Sequence, residues 1–371
     1  MTHRCLTLLA ATLCLAAATA ASAGPGGGDR RASPGAIYTM TNGAAGNAVL
    51  VFDRAADGRL LPAGPVATGG AGTGAGLGNQ GGLVLTDNER WLLVVNAGSH
   101  TVSVLEVRPH GLRLVDVVDS GGLTPISVTE RHGLVYVLNA GTDSIAGFRL
   151  RRGRLQPIPG SLRGLSGTGV APAQIGFSRD GGVLLVTEKA TSQIVAYAVD
   201  RHGVPAQALV QPSSGATPFG FAFGRRDQVF VTEATGAPNG AATSSYEVDE
   251  DGALTAISPS VPTNQAAACW AVLTPDGRYL YVTNAASGSI SGFAVDFDGR
   301  IALLDDDGRT GVTGAGSTPL DMVVTDNGRF LYVLNGGSHT IAGFRVGGDG
   351  GLQPLPGAVP VPATANGLAT R

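Results

Sequence analysis

Leu280-Tyr281-Val282-Thr283-Asn284 (LYVTN) is a short run of apolar, aromatic and β-branched residues that stops on Asn. Six other stretches repeat it: IYTMTN at 37–42, LLVVN at 92–96, VYVLN at 135–139, LLVTE at 184–188, VFVTE at 229–233 and LYVLN at 331–335. Their last residues lie 43–54 positions apart. Strand phrases at a period of about 40–50 residues, with room for several strands in each unit, mark propeller blades. Around the quoted copy, 270–273 reads as a first strand and 275–278 (PDGR) as a turn. Residues 279–283 form the second strand, 290–295 the third, and a fourth lies near 301–304. Asp-Gly and Asn-Gly pairs at 57, 180, 251, 298 and 327 repeat the hairpin punctuation. The expected fold is all-β, a seven-bladed β-propeller of four-stranded antiparallel blades.

The first blade lacks its first strand, because only Gly-rich polar sequence precedes Ile37. The missing strand stands at the other end, where Asn366-Gly367-Leu368-Ala369-Thr370 parallels Gly81 to Leu85. The C-terminal strand is therefore expected to pair with the first blade and close the ring, removing two exposed sheet edges.

Composition bounds the function. The chain has 371 residues, a net charge of −3 and 14% charged residues, which gives no basic footprint for nucleic acid or an anionic membrane. Leu6 to Ala20 is an apolar run followed by Ala21-Ser22-Ala23, the pattern of a cleaved signal peptide over 1–23. Residues 24–35 read as a flexible lead-in, and 36–371 as the propeller. The expected destination is the periplasm or the exterior. Cleavage would leave Cys269 alone, so no internal disulfide is available. Lys189 is the only lysine.

Long Gly-rich loops enter the blades at 64–82, 160–172, 211–218, 260–269 and 309–319, all on one face. Such loops are the usual place for binding, and equally a source of plain flexibility. Gly82, Ser127, Gln174, Gly220, Trp270, Asp321 and Gly367 align at the channel entrance. Three glycines among them predict a mouth open on one side. Trp270 either recognises a ligand or packs between blades; Gln174 and Asp321 are the other candidate contacts. The phrase-ending ring is Asn42, Asn96, Asn139, Glu188, Glu233, Asn284 and Asn335. Asn suits a tight turn, and Asn139 and Asn284 are also candidate ligand contacts. Glu188 and Glu233 break the pattern. They could pair with Lys189 or an Arg, form a solvated rim, or act as acid and base. They could also help to hold a channel cation such as Ca²⁺, although no metal motif or cofactor signature is present. His100 and His339 share a turn position with Asp143, Ser192 and Gly288, which is ordinary turn chemistry.

SRDGGVLLVTE…SQIVAY (178–197) and TPDGRYLYVTNAASGSISGFAV (274–295) resemble the lactonase-type seven-bladed propellers. That family includes bacterial 6-phosphogluconolactonases, carboxymuconate-lactonising enzymes and YVTN surface-layer repeats. The resemblance spans 37–371. It implies a Gly-Pro-Arg-His-like segment at a middle blade entrance and a Glu ending the next strand. Here the segment is Ala171-Pro172-Ala173-Gln174, followed by Glu188. Ala173 cannot hold an anion and Gln174 cannot titrate, so the family's usual phosphorylated lactone is not expected. The leading expectation is a monomeric binding module taking a sugar, a lactone or a protein at the channel mouth. Its alternatives are a divergent lactonase or lactonising enzyme using Glu188 and Glu233, with Gln174 or Asn139 steadying the oxyanion, and a cell-surface interaction scaffold.

Overall fold

The computed structural model describes residues 35–371. The signal peptide expected over 1–23 and all but the last residue of the lead-in lie outside the described residues. Alternating apolar residues between tight turns give seven antiparallel sheets, and no helix occurs among the described residues. Each sheet runs outward from an inner strand, in chain order in every blade but the first. In the sixth blade the order is Ala268–Leu273, Tyr279–Asn284, Ser289–Val295 and Ile301–Leu303. The third, sixth and seventh blades carry an additional two-residue outer strand.

The ring closes as the terminal repeat predicts. Asn366–Thr370 is the inner strand of the first blade and pairs with Ala36–Met40, with Ile37 opposite Thr370 and Met40 opposite Asn366. The backbone N–H of Arg371 also donates to Ala36 O at 3.1 Å.

Period-2 alternation gives each residue of the repeated phrase a separate task. The phrase tyrosines of the third, sixth and seventh blades are buried, and their hydroxyls reach a turn glycine of the following blade. Tyr136 donates to Gly203 O at 2.6 Å, Tyr281 to Gly350 O at 2.8 Å and Tyr332 to Gly58 O at 2.6 Å. Those glycines have φ of 74°, 85° and 93°, a left-handed conformation that fits glycine best. Burial raises the phenol pKa of all three tyrosines well above its usual value, so each remains a donor.

The phrase-ending residue is followed by an N–H that must be capped. The cap is a carbonyl just before each inner strand. Ala140 N donates to Thr124 O at 3.0 Å, Ala234 N to Thr217 O at 2.9 Å, Ala285 N to Ala267 O at 2.9 Å and Gly336 N to Thr318 O at 2.9 Å. Thr124, Thr217, Ala267 and Thr318 take φ of 53°, 59°, 59° and 49° to aim those carbonyls. A β-branched residue held there is strained, so the loop-rich face stores strain at equivalent points around the ring.

Deleting residues 366–371 removes an inner strand and reopens the ring. We expect the melting temperature to fall by at least about 10 °C, since several buried hydrogen bonds and apolar side chains go together. An unchanged thermal melt would contradict closure by this strand.

Candidate functional site

The channel mouth is built on irregular inner strands. Pro172–Phe177, Pro218–Phe223, Ala268–Leu273 and Pro319–Val324 each shift register against their neighbour shortly after they begin. A bulge leaves a backbone N–H outside the ladder, and a buried one needs another acceptor. Side chains supply it. Ile175 N donates to Ser127 Oγ at 3.2 Å, and Phe221 N to Gln174 Oε1 at 2.7 Å. Ala271 N donates to Gln80 Oε1 at 3.2 Å, and Met322 N to Asp321 Oδ1 at 2.8 Å.

Gln80 is a site residue that sequence reasoning missed. It lies on the loop that leads into the second blade, yet it serves the sixth. Its amide Nε2 also donates to Ala271 O at 2.8 Å, so both backbone groups of Ala271 are engaged. Gln174 treats Phe221 in the same way, with Nε2 donating to Phe221 O at 3.1 Å. The position equivalent to Gln174 in the fifth blade is Gly220, and a Cβ there would overlap Gln80 Oε1. Gln80 thus occupies the space left by the side chain that Gly220 lacks. The expected open mouth is corrected at all three glycines. A Cβ on Gly82 would lie 2.6 Å from Asn366 Oδ1, and one on Gly367 would overlap Leu83 Cδ2. The gaps exist because neighbouring chain fills them.

The segment from Gly78 to Gln80 is a strap across the entrance. Asn79 donates from Nδ2 to Ile126 O and accepts at Oδ1 from Asn366 Nδ2 at 3.0 Å. Gln80 N donates to Ala173 O at 3.1 Å. The Trp270 indole N–H donates to Asn79 O at 2.6 Å, and its ring packs on Phe219 at 4.9 Å between centroids. Trp270 is buried. Its donor and one ring contact are taken by the protein, which is the packing alternative of the sequence reading.

The other sequence candidates divide among several blades. Asp321 is buried, and Oδ2 accepts from Leu368 N of the closing strand at 3.2 Å. Burial pushes its carboxyl up to about 7, against the two backbone donors that pull it down. Asn139 Nδ2 donates to Ser120 O at 3.1 Å; Asn284 Nδ2 donates to Ser289 Oγ at 3.1 Å and Ser291 Oγ at 2.8 Å. Glu188 accepts from Ser166 N at 2.9 Å, from the Ser166 hydroxyl and from Thr191 Oγ1 at 2.7 Å. Glu233 accepts from Ser244 Oγ at 2.5 Å and lies against Gly215, where a Cβ would overlap it. A hydroxyl accepts from Asn and donates to Glu, so the two types exchange at this ring position without a charged partner. Glu188 and Glu233 share no hydrogen-bond partner, and neither pairs with Lys189. Among the described residues no group of three His, Cys, Asp or Glu could hold a metal ion. His100 and His339 have φ of 58° and 54°, and their counterparts Asp143, Ser192 and Gly288 have 43°, 54° and 63°. A shared left-handed turn accounts for all five.

Lys189 is the chemically distinctive group left at the mouth. Its Nζ donates to Gly78 O at 2.5 Å and Pro172 O at 3.3 Å, and lies 4.9 Å from the Phe219 ring centroid. Burial lowers its pKa to about 8. Buried Cys269 lies in the same small cluster with Phe219 and Trp270, and burial pushes its thiol up to about 12. That thiol is a packing group, not a nucleophile at neutral pH.

Residues 241–366 match the family model described as Lactonase, 7-bladed beta-propeller. A 6-phosphogluconolactonase of Sodalis glossinidius is 36% identical over 84 residues, spanning 22% of this chain and 24% of that protein. The chain thus aligns with only about a quarter of that curated relative. A putative 6-phosphogluconolactonase from Bacteroides fragilis superimposes with a TM-score of 0.72 at 18% identity, covering 92% of this chain and all of that one. A periplasmic gluconolactonase from Pseudomonas aeruginosa gives 0.72 at 20% identity, covering 90% and 99%. Such identities speak for the fold. With the blade count, they make this chain a seven-bladed β-propeller, and the stretch 241–366 carries its similarity to the lactonase family.

Two outcomes follow. Gln80→Ala leaves the N–H and C=O of Ala271 unpaired in a buried place, and we expect a loss of about 1–3 kcal/mol in denaturant unfolding; a neutral effect would contradict the strap's role. Asp321 binds its proton more tightly folded than unfolded. Its stabilising contribution is therefore full below about pH 4 and is lost as pH rises through about 7. Asp321→Asn should flatten the stability profile across that window, by up to about 1.4 kcal/mol per pH unit. Parallel profiles for the two proteins would contradict it.

Proposed function

We propose that this protein is an extracytoplasmic binding protein that has kept the lactonase-type scaffold without the lactonase reaction. Its ligand, a sugar acid or lactone, meets the loop-rich face beside Lys189. The carrying observation is the commitment of Gln174. It stands where the family resemblance places a titratable His, and both ends of its amide are bonded to Phe221. The neighbouring Arg position is Ala173, a fully buried methyl group. Neither of those two positions retains a proton carrier or a guanidinium. The carboxylates of Glu188 and Glu233 are engaged by hydroxyl and amide donors of their own surroundings, which suits turn-building better than attack by water.

Lys189 supplies the positive charge instead. Its two carbonyl partners and the Phe219 ring hold the ammonium in place, and no carboxylate neutralises it within 4.0 Å among the described residues. A partly buried ammonium with a fixed position favours a carboxylate-bearing or carbonyl-bearing ligand. The apolar run and small-residue site at the N-terminus support export.

The test uses the mature protein with glucono-1,5-lactone, 6-phosphogluconolactone and gluconate. Lactone opening at the spontaneous rate is expected, together with calorimetric binding of gluconate weakened about tenfold by Lys189→Gln. Turnover above the spontaneous rate that disappears in Glu188→Gln or Glu233→Gln would overturn the proposal. Absence of any gluconate binding would remove the ligand assigned to the mouth.

A further inference from the structure

The opposite face carries the hairpin turns between first and second strands, and there the fifth, sixth and seventh blades form a groove. One part, about 440 Å³, is lined by Arg225, Arg226, Arg278 and Phe297. The next, about 490 Å³, is lined by Arg225, Arg278, Tyr279 and Arg329. The two parts adjoin, with Arg225, Asp276 and Arg278 lining both. Volumes of this size lie within the usual range for small-molecule sites.

Its arginines are placed rather than loose. Arg225 Nη1 donates to Asp276 O at 2.9 Å, and the Arg225 stem packs on Gly277, where a Cβ would lie 2.6 Å from its Cδ. Arg226 stacks on the Phe297 ring with its guanidinium carbon 3.2 Å from the centroid. The Phe297 backbone is held in turn, because Gln228 Nε2 donates to its carbonyl at 3.1 Å. Arg329 lies 5.6 Å from the Phe330 centroid. Among the described residues, no ion pair within 4.0 Å engages Arg225, Arg226 or Arg329.

Three acids, Asp276, Asp296 and Asp326, also line the groove, and Asp227, Glu247 and Asp298 border Arg226 and Phe297. Asp276 takes Arg278 at 2.6 Å, and Asp296 accepts the turn amides of Asp298 at 2.9 Å and Arg300 at 2.8 Å. Asp326 interacts with Glu89 from the second blade. Phe297 remains 69% exposed, so its ring offers apolar surface to whatever enters the groove.

We propose that this groove is a second binding site, taking an acidic saccharide. The carboxylate or phosphate of the ligand would pair with the free edges of Arg225 and Arg226. A sugar face would lie on the exposed Phe297 ring. A guanidinium stacked flat on an aromatic is already oriented for two-point pairing with an oxyanion, so little ordering is needed when the ligand arrives. This site is separate from the one proposed at the mouth.

The experiment titrates the mature protein with digalacturonate, glucose 6-phosphate and neutral maltose in low salt. At least one of the two anions should bind, and maltose should not. Which anion binds more tightly identifies the carboxylate or the phosphate as the recognised group. Arg226→Gln and Phe297→Ala should each weaken anion binding at least about fivefold at an unchanged melting temperature. Arg113→Gln, at an arginine paired with Glu106 in the second blade, should leave it unaltered. Failure of both anions to bind, equal binding of maltose, or affinity insensitive to Arg226 and Phe297 would overturn the assignment.

Discussion

The inner strands of this propeller do not hydrogen-bond all of their own backbone, and the rest of the mouth follows from that deficit. A bulge near the start of the inner strand turns an N–H out of the sheet in the third to seventh blades. A buried, unpaired N–H costs about 1–3 kcal/mol. Ser127, Gln174, Gln80 and Asp321 answer four of these groups. Ser127 and Gln174 serve the following blade, and Asp321 also receives Leu368 N from the closing strand. Gln80 crosses from the second blade to the sixth. The blades are stitched to each other where a covalent link is absent, since Cys269 is free.

The same economy governs the repeated phrase. In Tyr281-Val282-Thr283-Asn284 the tyrosine and threonine face the next blade, and the asparagine faces its own turn. Tyr281 reaches Gly350 of the seventh blade. Thr283 Oγ1 accepts from Trp270 N at 3.1 Å, and in the fifth blade Thr232 Oγ1 accepts from Gly220 N at 3.0 Å and donates to Cys269 O at 2.7 Å. One strand of six residues therefore secures its own inner strand, its neighbour and its turn. That triple duty explains why the phrase recurs more faithfully than the sequence around it.

These local duties are legible in the amino-acid sequence. Period-2 alternation, Asp-Gly turns and the copy of an inner strand at 366–370 depend on residues close in sequence or on plain repetition. The identity of the channel filling is not legible there. Gln80 and Ala271 are 191 positions apart, and nothing local to Gly78–Gln80 distinguishes it from a flexible loop. The glycines at 82, 220 and 367 read as empty space, whereas each is where another part of the chain comes close. The left-handed Thr124, Thr217 and Thr318 run against the usual preference of residues before proline for extended backbone; the capping of the next strand end overrides it. Glu188 and Glu233 stand out in the sequence as exceptions to Asn. A hydroxyl partner that can reverse its hydrogen bond makes that exchange ordinary.

The entrance of this propeller is taken up by backbone satisfaction, and the recognition chemistry proposed above lies beside it at Lys189 and on the opposite face in the arginine groove. Gln80 stands in for the side chain absent at Gly220. Amide hydrogen exchange at Ala271, read beside Phe221 in the wild-type protein and in Gln80→Ala, tests it most directly. Both amides should be strongly protected in the wild type, and only Ala271 should lose protection in the variant. Rapid exchange of Ala271 in the wild type, or protection that survives the loss of Gln80, would mean that Gln80 does not hold the sixth blade's inner strand.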